Sequence, residues 1–189
     1  MDSGQHADRQ SPGILRTFLS LLVMVAFVFG LSWALRTFVF QPYEIPSGSM
    51  ENTIMTGDMV FSEKISYYLR DPEPGDIVTF QDPEIPGRVL IKRCIAVGGQ
   101  TVDLVDGRVV VDGVALDEPY TRGLPSEPLK TALGVEVSYP YTVPAGHLWV
   151  MGDNRTNSQD SRYFGAIKES SVTGKAIFIY WPLTDVGPL

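Results

Sequence analysis

Two serines stand one residue apart in the stretch Ile45-Pro46-Ser47-Gly48-Ser49-Met50. Pro46 fixes one backbone angle and Gly48 permits a tight local turn, so this peptide can aim amide groups and a serine oxygen at one point, as a nucleophile requires. Serine and glycine cluster in ordinary surface loops too, and the stretch needs a chemical partner before it counts as a site. The run from Arg88 to Val97, RVLIKRCIAV, offers one. Read as a strand, it puts Leu90, Lys92, Cys94 and Ala96 on one face, with Lys92 the only charge there. Val89, Ile91, Arg93, Ile95 and Val97 form the opposite, mostly apolar face, so the strand is expected to be buried on both sides. Burial disfavours an ammonium and moves a lysine pKa toward neutrality, where the free amine is a base. A lysine that reaches out to water or pairs with a carboxylate fits the same pattern. A third stretch, GDNRTNSQDSRYFG from Gly152 to Gly165, is dense in short polar side chains. It suits either a solvated loop or a set of hydrogen-bonding groups that orient a catalytic residue.

The elements that must position these groups follow from periodicity and turn residues. Thr17 to Leu35 is nineteen uncharged residues between Arg16 and Arg36. As a helix it would be roughly 28 Å long, close to the thickness of a bilayer's hydrocarbon core. Ser32-Trp33-Ala34 has the spacing of a processing site, but the apolar run exceeds a signal peptide's usual apolar region and continues in Phe38, Val39 and Phe40, which favours a retained anchor. The flanking arginines put the N-terminus in the cytoplasm and the rest outside the plasma membrane. The expected organisation is a cytoplasmic tail over residues 1–16, an anchor and juxtamembrane segment over 17–40, and a β-rich extracytoplasmic domain over 41–189. Within that domain, strands are expected at 59–61, 76–80, 88–97, 148–151 and 176–180, and Asp106-Gly107 marks a hairpin turn. Residues 114–146, rich in proline and glycine, are expected to be a long excursion, partly ordered at best. No amphipathic helix and no repeat is evident after residue 40, so the domain reads as all-β.

Composition narrows the partners. The net charge is −7, which argues against a nucleic-acid surface. Cys94 is the single cysteine, so an intramolecular disulfide is excluded and a Cys/His zinc cluster has no ligands.

Taken together, the serine box Pro46-Ser47-Gly48-Ser49-Met50 with Gly57-Asp58 after it, the lysine box Ile91-Lys92-Arg93, and the late box GDNR-x-NS-x-DSR-x-x-G resemble bacterial type I signal peptidase over about residues 41–181. That family comprises membrane-bound serine endopeptidases that remove N-terminal signal peptides from exported preproteins after small-x-small residues. The resemblance implies a mainly antiparallel β-sheet catalytic domain behind one transmembrane helix, with the bilayer and signal peptides as partners and neither cofactor nor metal. It assigns Ser49 as nucleophile and neutral Lys92 as general base. The Ser49 backbone N–H and the Ser47 hydroxyl form the oxyanion hole. Ser158 orients the lysine amine, Asp160 and Arg162 form a supporting ion pair, and Arg93 with Asp153 forms a second. Ile45, Met50, Leu90 and Ile91 match positions that line shallow pockets for small side chains, although Ile91, on the face away from Lys92, suits core packing better. Two departures concern loops: Glu51-Asn52-Thr53-Ile54 lacks the family's turn proline, and Ala96-Val97-Gly98-Gly99-Gln100 replaces a Gly-x-Pro-Gly-Asp turn.

Other chemistries fit less well. A histidine triad has only His147 outside the presumed cytoplasmic tail, which holds His6. A sortase orders its residues His, Cys, Arg, whereas Cys94 precedes His147 here. Self-cleaving repressors use a serine-lysine dyad but begin with a DNA-binding domain. From a different class, an inactive tethered β module that binds exported peptides would not need every catalytic position filled.

Overall fold

The computed structural model describes residues 13–189, which separate into a helical unit ending at Phe38 and a β unit from Val39 to Leu189. In the first, α1 runs from Gly13 to Phe38, 26 residues with no buried side chain and an apolar composition long enough to cross a membrane. It extends past the expected Thr17–Leu35 at both ends, because Arg16, Arg36 and Thr37 are all compatible with a helix. Residues 13–16 of the expected tail are therefore helical, and residues 1–12 lie outside the described residues.

The β unit has twelve strands: β1 (Phe40–Glu44), β2 (Met59–Glu63), β3 (Ile77–Gln81), β4 (Val89–Val97), β5 (Thr101–Val105), β6 (Arg108–Val111), β7 (Val114–Ala115), β8 (Tyr141–Thr142), β9 (His147–Met151), β10 (Ile167–Lys168), β11 (Val172–Trp181) and β12 (Gly187–Pro188). All pairings are antiparallel, as expected. The larger sheet has the order β1-β2-β11-β3-β4-β9-β10 with β12 beside β11, and the smaller has the order β7-β6-β5-β8. The only described helices in this unit are single turns, α2 (Ser66–Leu69) and α3 (Ser161–Phe164), besides 3-10 turns such as Gly48–Met50. Asp106 and Gly107 close the β5–β6 hairpin with φ of 51° and 73°, the positive values such a turn demands.

Alternation along the central strands divides the interior. Ile77 joins a core with Ile45, Met50, Ile54, Val60, Ala176 and Ile179, while Val78 and Phe80 join one with Cys94, Leu148, Val150 and Phe164. β4 lies between β3 and β9 and carries Lys92 opposite Val78. The single face expected for Leu90, Lys92, Cys94 and Ala96 is corrected by a bulge between Cys94 and Ala96. Leu90, Cys94 and Val97 pack on the second core, whereas Ile95 and Ala96 both pack on a third, around Trp149 of β9. An extra residue on one strand shifts the side-chain alternation beyond it, and the sequence pattern alone does not show where that happens.

The excursion over 114–146 is more ordered than expected. Val143 is buried, and Leu116, Val137, Tyr139 and Tyr141 pack on the third core. Backbone bonds from Ser126 N to Gly107 O and from Ala132 N to Tyr163 O tie it down between these points. Its anchors are few and widely spaced, so they leave no period for pattern reading to detect.

Close strand approach also makes a prediction about stability. A Cβ at Gly174 of β11 would lie 2.6 Å from both the Glu63 carbonyl oxygen and Ser62 Oγ on β2. Gly174→Ala should destabilise the fold by about 2 kcal/mol, seen as a lower urea midpoint. An unchanged midpoint would mean that β2 and β11 can part there without cost.

Candidate active site

The serine turn is built on backbone bonds. Ile45 N donates to Asp58 O at 2.9 Å and Gly57 N to Ile45 O at 2.8 Å, closing a loop whose tip is the Gly48–Met50 turn. Met50 and Ile54 are fully buried beneath it, which anchors the turn through its apolar residues and leaves the serines above the core. Ser47 is exposed, Ser49 is 8% exposed, and both line a cleft of about 610 Å³. Lys92, from the middle of β4, lines the same cleft.

Lys92 Nζ donates to Ser49 Oγ at 2.6 Å and to its neighbour's carbonyl, Ile91 O, at 3.0 Å. Its residue is 3% exposed. Burial moves the amine from an ordinary value near 10.5 down to about 8, opposed by the charges of Asp160, Asp153 and Asp82 and helped by Arg88. No carboxylate bonds to it, so the lysine is neither snorkelling nor salt-bridged.

The late box wraps the other side of the serine turn. Asn154 N donates to Ser49 O at 3.1 Å, and Asn154 Nδ2 donates to Gly48 O at 3.0 Å. A Cβ on Gly152 would collide with both Ser158 Oγ and the Ser49 carbonyl oxygen, so only glycine fits between them. Ser158 is 8% exposed and borders the cleft, but its hydroxyl has no hydrogen-bond partner. The expected bond from Ser158 to Lys92 is therefore not formed in this structure, where the lysine is satisfied by Ser49 and Ile91.

Two ion pairs brace this loop, one fully buried and one half-buried at its arginine. Arg162 Nε and Nη2 donate to Asp160 Oδ1 and Oδ2, each at 2.9 Å, and Asp160 also accepts from Gly152 N at 3.0 Å. Arg93 Nε and Nη2 donate to Asp153 Oδ1 and Oδ2 at 2.8 and 2.7 Å. Thr53 Oγ1, on the serine loop, donates to Asp153 Oδ2 at 2.5 Å. Adjacent strand and loop residues thus hold the lysine strand, the serine loop and the late box together.

The four residues expected to line pockets separate. Leu90 borders the cleft, whereas Ile45 and Met50 belong to the core behind the serine turn and Ile91 packs on that core from β4. Three further residues went unmarked in sequence reading. Arg155 is fully buried, donating from Nη1 and Nη2 to Glu118 Oε2 and Oε1 at 3.0 and 2.6 Å and from Nε to Gly152 O at 3.0 Å. The Tyr120 ring lies 4.1 Å from the Arg93 guanidinium carbon and 5.8 Å from that of Arg155. Arg155 lay inside a motif already in view, but Glu118 and Tyr120 come from the excursion and carry no local signal. Among the described residues, no group of three or more His, Cys, Asp or Glu could hold a metal ion.

Breaking the Asp160–Arg162 pair should leave a buried guanidinium without its counter-charge. Asp160→Asn is expected to cost about 3 kcal/mol of stability, read from denaturant unfolding, because both side chains are almost fully excluded from water. A variant as stable as the parent would show that water reaches Arg162.

Residues 15–181 match the family described as signal peptidase, peptidase S26. A probable signal peptidase I-1 from Synechocystis sp. is 39% identical over 175 residues, covering 89% of this chain and 84% of that protein. A signal peptidase I from Leptolyngbya laminosa is 35% identical over 167 residues, covering 84% and 77% respectively. A crystal structure of a signal peptidase I from Enterococcus faecalis is 36% identical and covers 56% of this chain and 97% of its own, with a TM-score of 0.46.

Proposed function

From the premise that this chain belongs to the signal peptidase family S26, we propose that it is a membrane-tethered serine endopeptidase that cleaves signal peptides from exported preproteins with a Ser49–Lys92 dyad. The observation that carries the dyad is the 2.6 Å contact between Lys92 Nζ and Ser49 Oγ inside a buried setting. With a pKa near 8, about a tenth of the amine is neutral at pH 7, against about one part in three thousand for an ordinary lysine. In the neutral form the contact reverses, and the Ser49 hydroxyl donates to the amine lone pair.

The proposed reaction needs only these groups. Lys92 takes the Ser49 proton as Oγ attacks the scissile carbonyl, and the resulting oxyanion accepts from the Ser49 backbone N–H and the Ser47 hydroxyl. The lysine ammonium then protonates the leaving amine, and the C–N bond breaks to give an acyl-enzyme on Ser49. Lys92, neutral again, takes a proton from water as it attacks the ester, then returns that proton to Ser49 Oγ as the signal peptide leaves. Ser158 is proposed to orient the amine once Ser49 has given up its contact, since the residue lines the same cleft and its buried hydroxyl is unpartnered. Asp160–Arg162 and Arg93–Asp153 act as supports. The small-x-small preference is proposed to arise at the cleft wall that Leu90 lines. The apolar α1 supports an anchor that keeps the β unit, proposed to lie on the extracytoplasmic side of the plasma membrane, where signal peptides emerge.

Two measurements test the dyad. Ser49→Ala and Lys92→Ala should each lower kcat on a synthetic signal peptide by at least about a thousandfold, by analogy with loss of a serine protease's nucleophile or base, and mass spectrometry should place the wild-type cut after a small-x-small sequence. Turnover surviving in both variants would refute the dyad. The acylation rate should rise with pH, reach half its maximum near pH 8, and stay high above it, because the active form is the deprotonated lysine. A rate falling through that range would contradict the sign.

A further inference from the structure

Glu118 and Tyr120 lie in the excursion, far in sequence from the serine, lysine and late boxes, yet their side chains end on the Arg155 and Arg93 guanidiniums that hold those boxes together. Glu118 takes both terminal nitrogens of Arg155, at 3.0 and 2.6 Å, and accepts from the Tyr120 hydroxyl at 2.8 Å. Ser126, from the same excursion, accepts from Arg155 Nη1 at 2.6 Å. Arg155 spends its remaining Nε–H on Gly152 O, the residue wedged between the Ser49 carbonyl and Ser158. The Tyr120 ring faces Arg93, which donates to Gly75 O at 3.0 Å and bidentately to Asp153, and Asp153 in turn accepts from Thr53 of the serine loop. Both arginines are therefore fixed from behind by the same short segment.

We propose that Glu118 and Tyr120 are positioning residues for the Ser49–Lys92 reaction, acting through Arg155 and Arg93 to fix Gly152 and Asp153, and with them the serine turn. The inference rests on the dyad reading. Neither residue touches the cleft, which is lined from the excursion by Leu129 and Lys130 instead. Their effect must therefore pass through the two guanidiniums. An arginine that has lost Glu118 keeps its charge in a site closed to water, and it will seek other acceptors, of which the Gly152 carbonyl and its neighbours are nearest. An aromatic face under Arg93 restrains the guanidinium plane without competing for the Nε–H and Nη2–H that Asp153 takes, so the bidentate geometry toward Asp153 is kept. Displacement at Gly152 by a fraction of an ångström moves the Asn154 amide that holds Ser49 O. Such a shift costs rate more than binding, because the dyad must meet the scissile carbonyl in line.

The test uses the full-length protein in detergent micelles with a synthetic signal peptide. Glu118→Gln is expected to lower kcat about tenfold with KM changed less than twofold. Tyr120→Phe, which keeps the ring over Arg93, should retain more than half of kcat, while Tyr120→Leu, which does not, should lose about fivefold. Amide hydrogen exchange should rise in Gly48–Asn52 and Gly152–Ser158 of the impaired variants, with β2 and β11 protected as in the parent. A purely structural role would loosen these strands as well. Should Glu118→Gln fail to fold, the Tyr120 pair decides alone, since both leave the Glu118–Arg155 pair in place. Parental kcat in Glu118→Gln, or equal kcat in the two Tyr120 variants, overturns the proposal. Ser49→Ala keeps the two questions apart: activity surviving in it refutes the dyad, whereas activity lost in it but intact in the Glu118 and Tyr120 variants refutes only the positioning role.

Discussion

An amine kept out of water beside a hydroxyl is the constraint on which the rest of this domain depends. Holding Lys92 charged in its place costs about 3 kcal/mol more than in water, the equivalent of the fall from 10.5 to about 8. That cost is small enough for the fold to bear and large enough to populate the base. It requires a strand with apolar packing on both faces, which β4 has through Leu90 and Cys94 on one core and Ile91 on another. It also requires that carboxylates be present nearby and already engaged. Asp153 and Asp160 both raise the lysine's affinity for a proton, but each is bound bidentately by its own arginine, and neither bonds to the amine. Arginine suits that task, since its planar fork satisfies both oxygens at once and does not titrate.

These ion pairs also connect pieces that are distant in the chain. Arg93 directly follows the lysine, Asp153 opens the late box, and Thr53 belongs to the loop that presents Ser49. Their mutual bonds fix three segments against each other without a helix between them. The single-turn α3 adds to this through Asp160, whose carboxylate caps it by accepting from Arg162 N. Rigidity at the site therefore comes from buried charge networks laid on a sheet, where many enzymes would use a helix terminus.

Much of this was legible in the sequence. The strands rich in β-branched residues, the Asp106-Gly107 turn and the apolar span of α1 follow local rules of period and backbone angle, and local rules survive folding. Lys92 stood out because a lone charge in an apolar strand demands an explanation. The serine turn was recognisable only beside the other two boxes. What could not be read is non-local. The bulge that moves Ala96 to another core depends on how β4 pairs with β9. The burial of Ile45 and Met50 behind the turn depends on β2 and β11 arriving beneath it. Arg155, Glu118 and Tyr120 meet across a stretch with no periodic pattern, so their contact exists in the fold and nowhere in the local sequence. Ser158 shows the opposite limit: a role inherited from motif resemblance predicts a bond that this resting geometry leaves unmade.

The mechanism turns on the protonation of one amine, which can be measured without turnover. Lysine labelled with carbon-13 at the ε position, titrated by NMR in the full-length protein with and without Lys92→Met to assign the signal, reports that amine directly. A midpoint near 8 is the predicted result, well below a lysine's ordinary value near 10.5. A midpoint at 10 or above would mean that Lys92 stays charged beside Ser49, which would contradict its role as a neutral base.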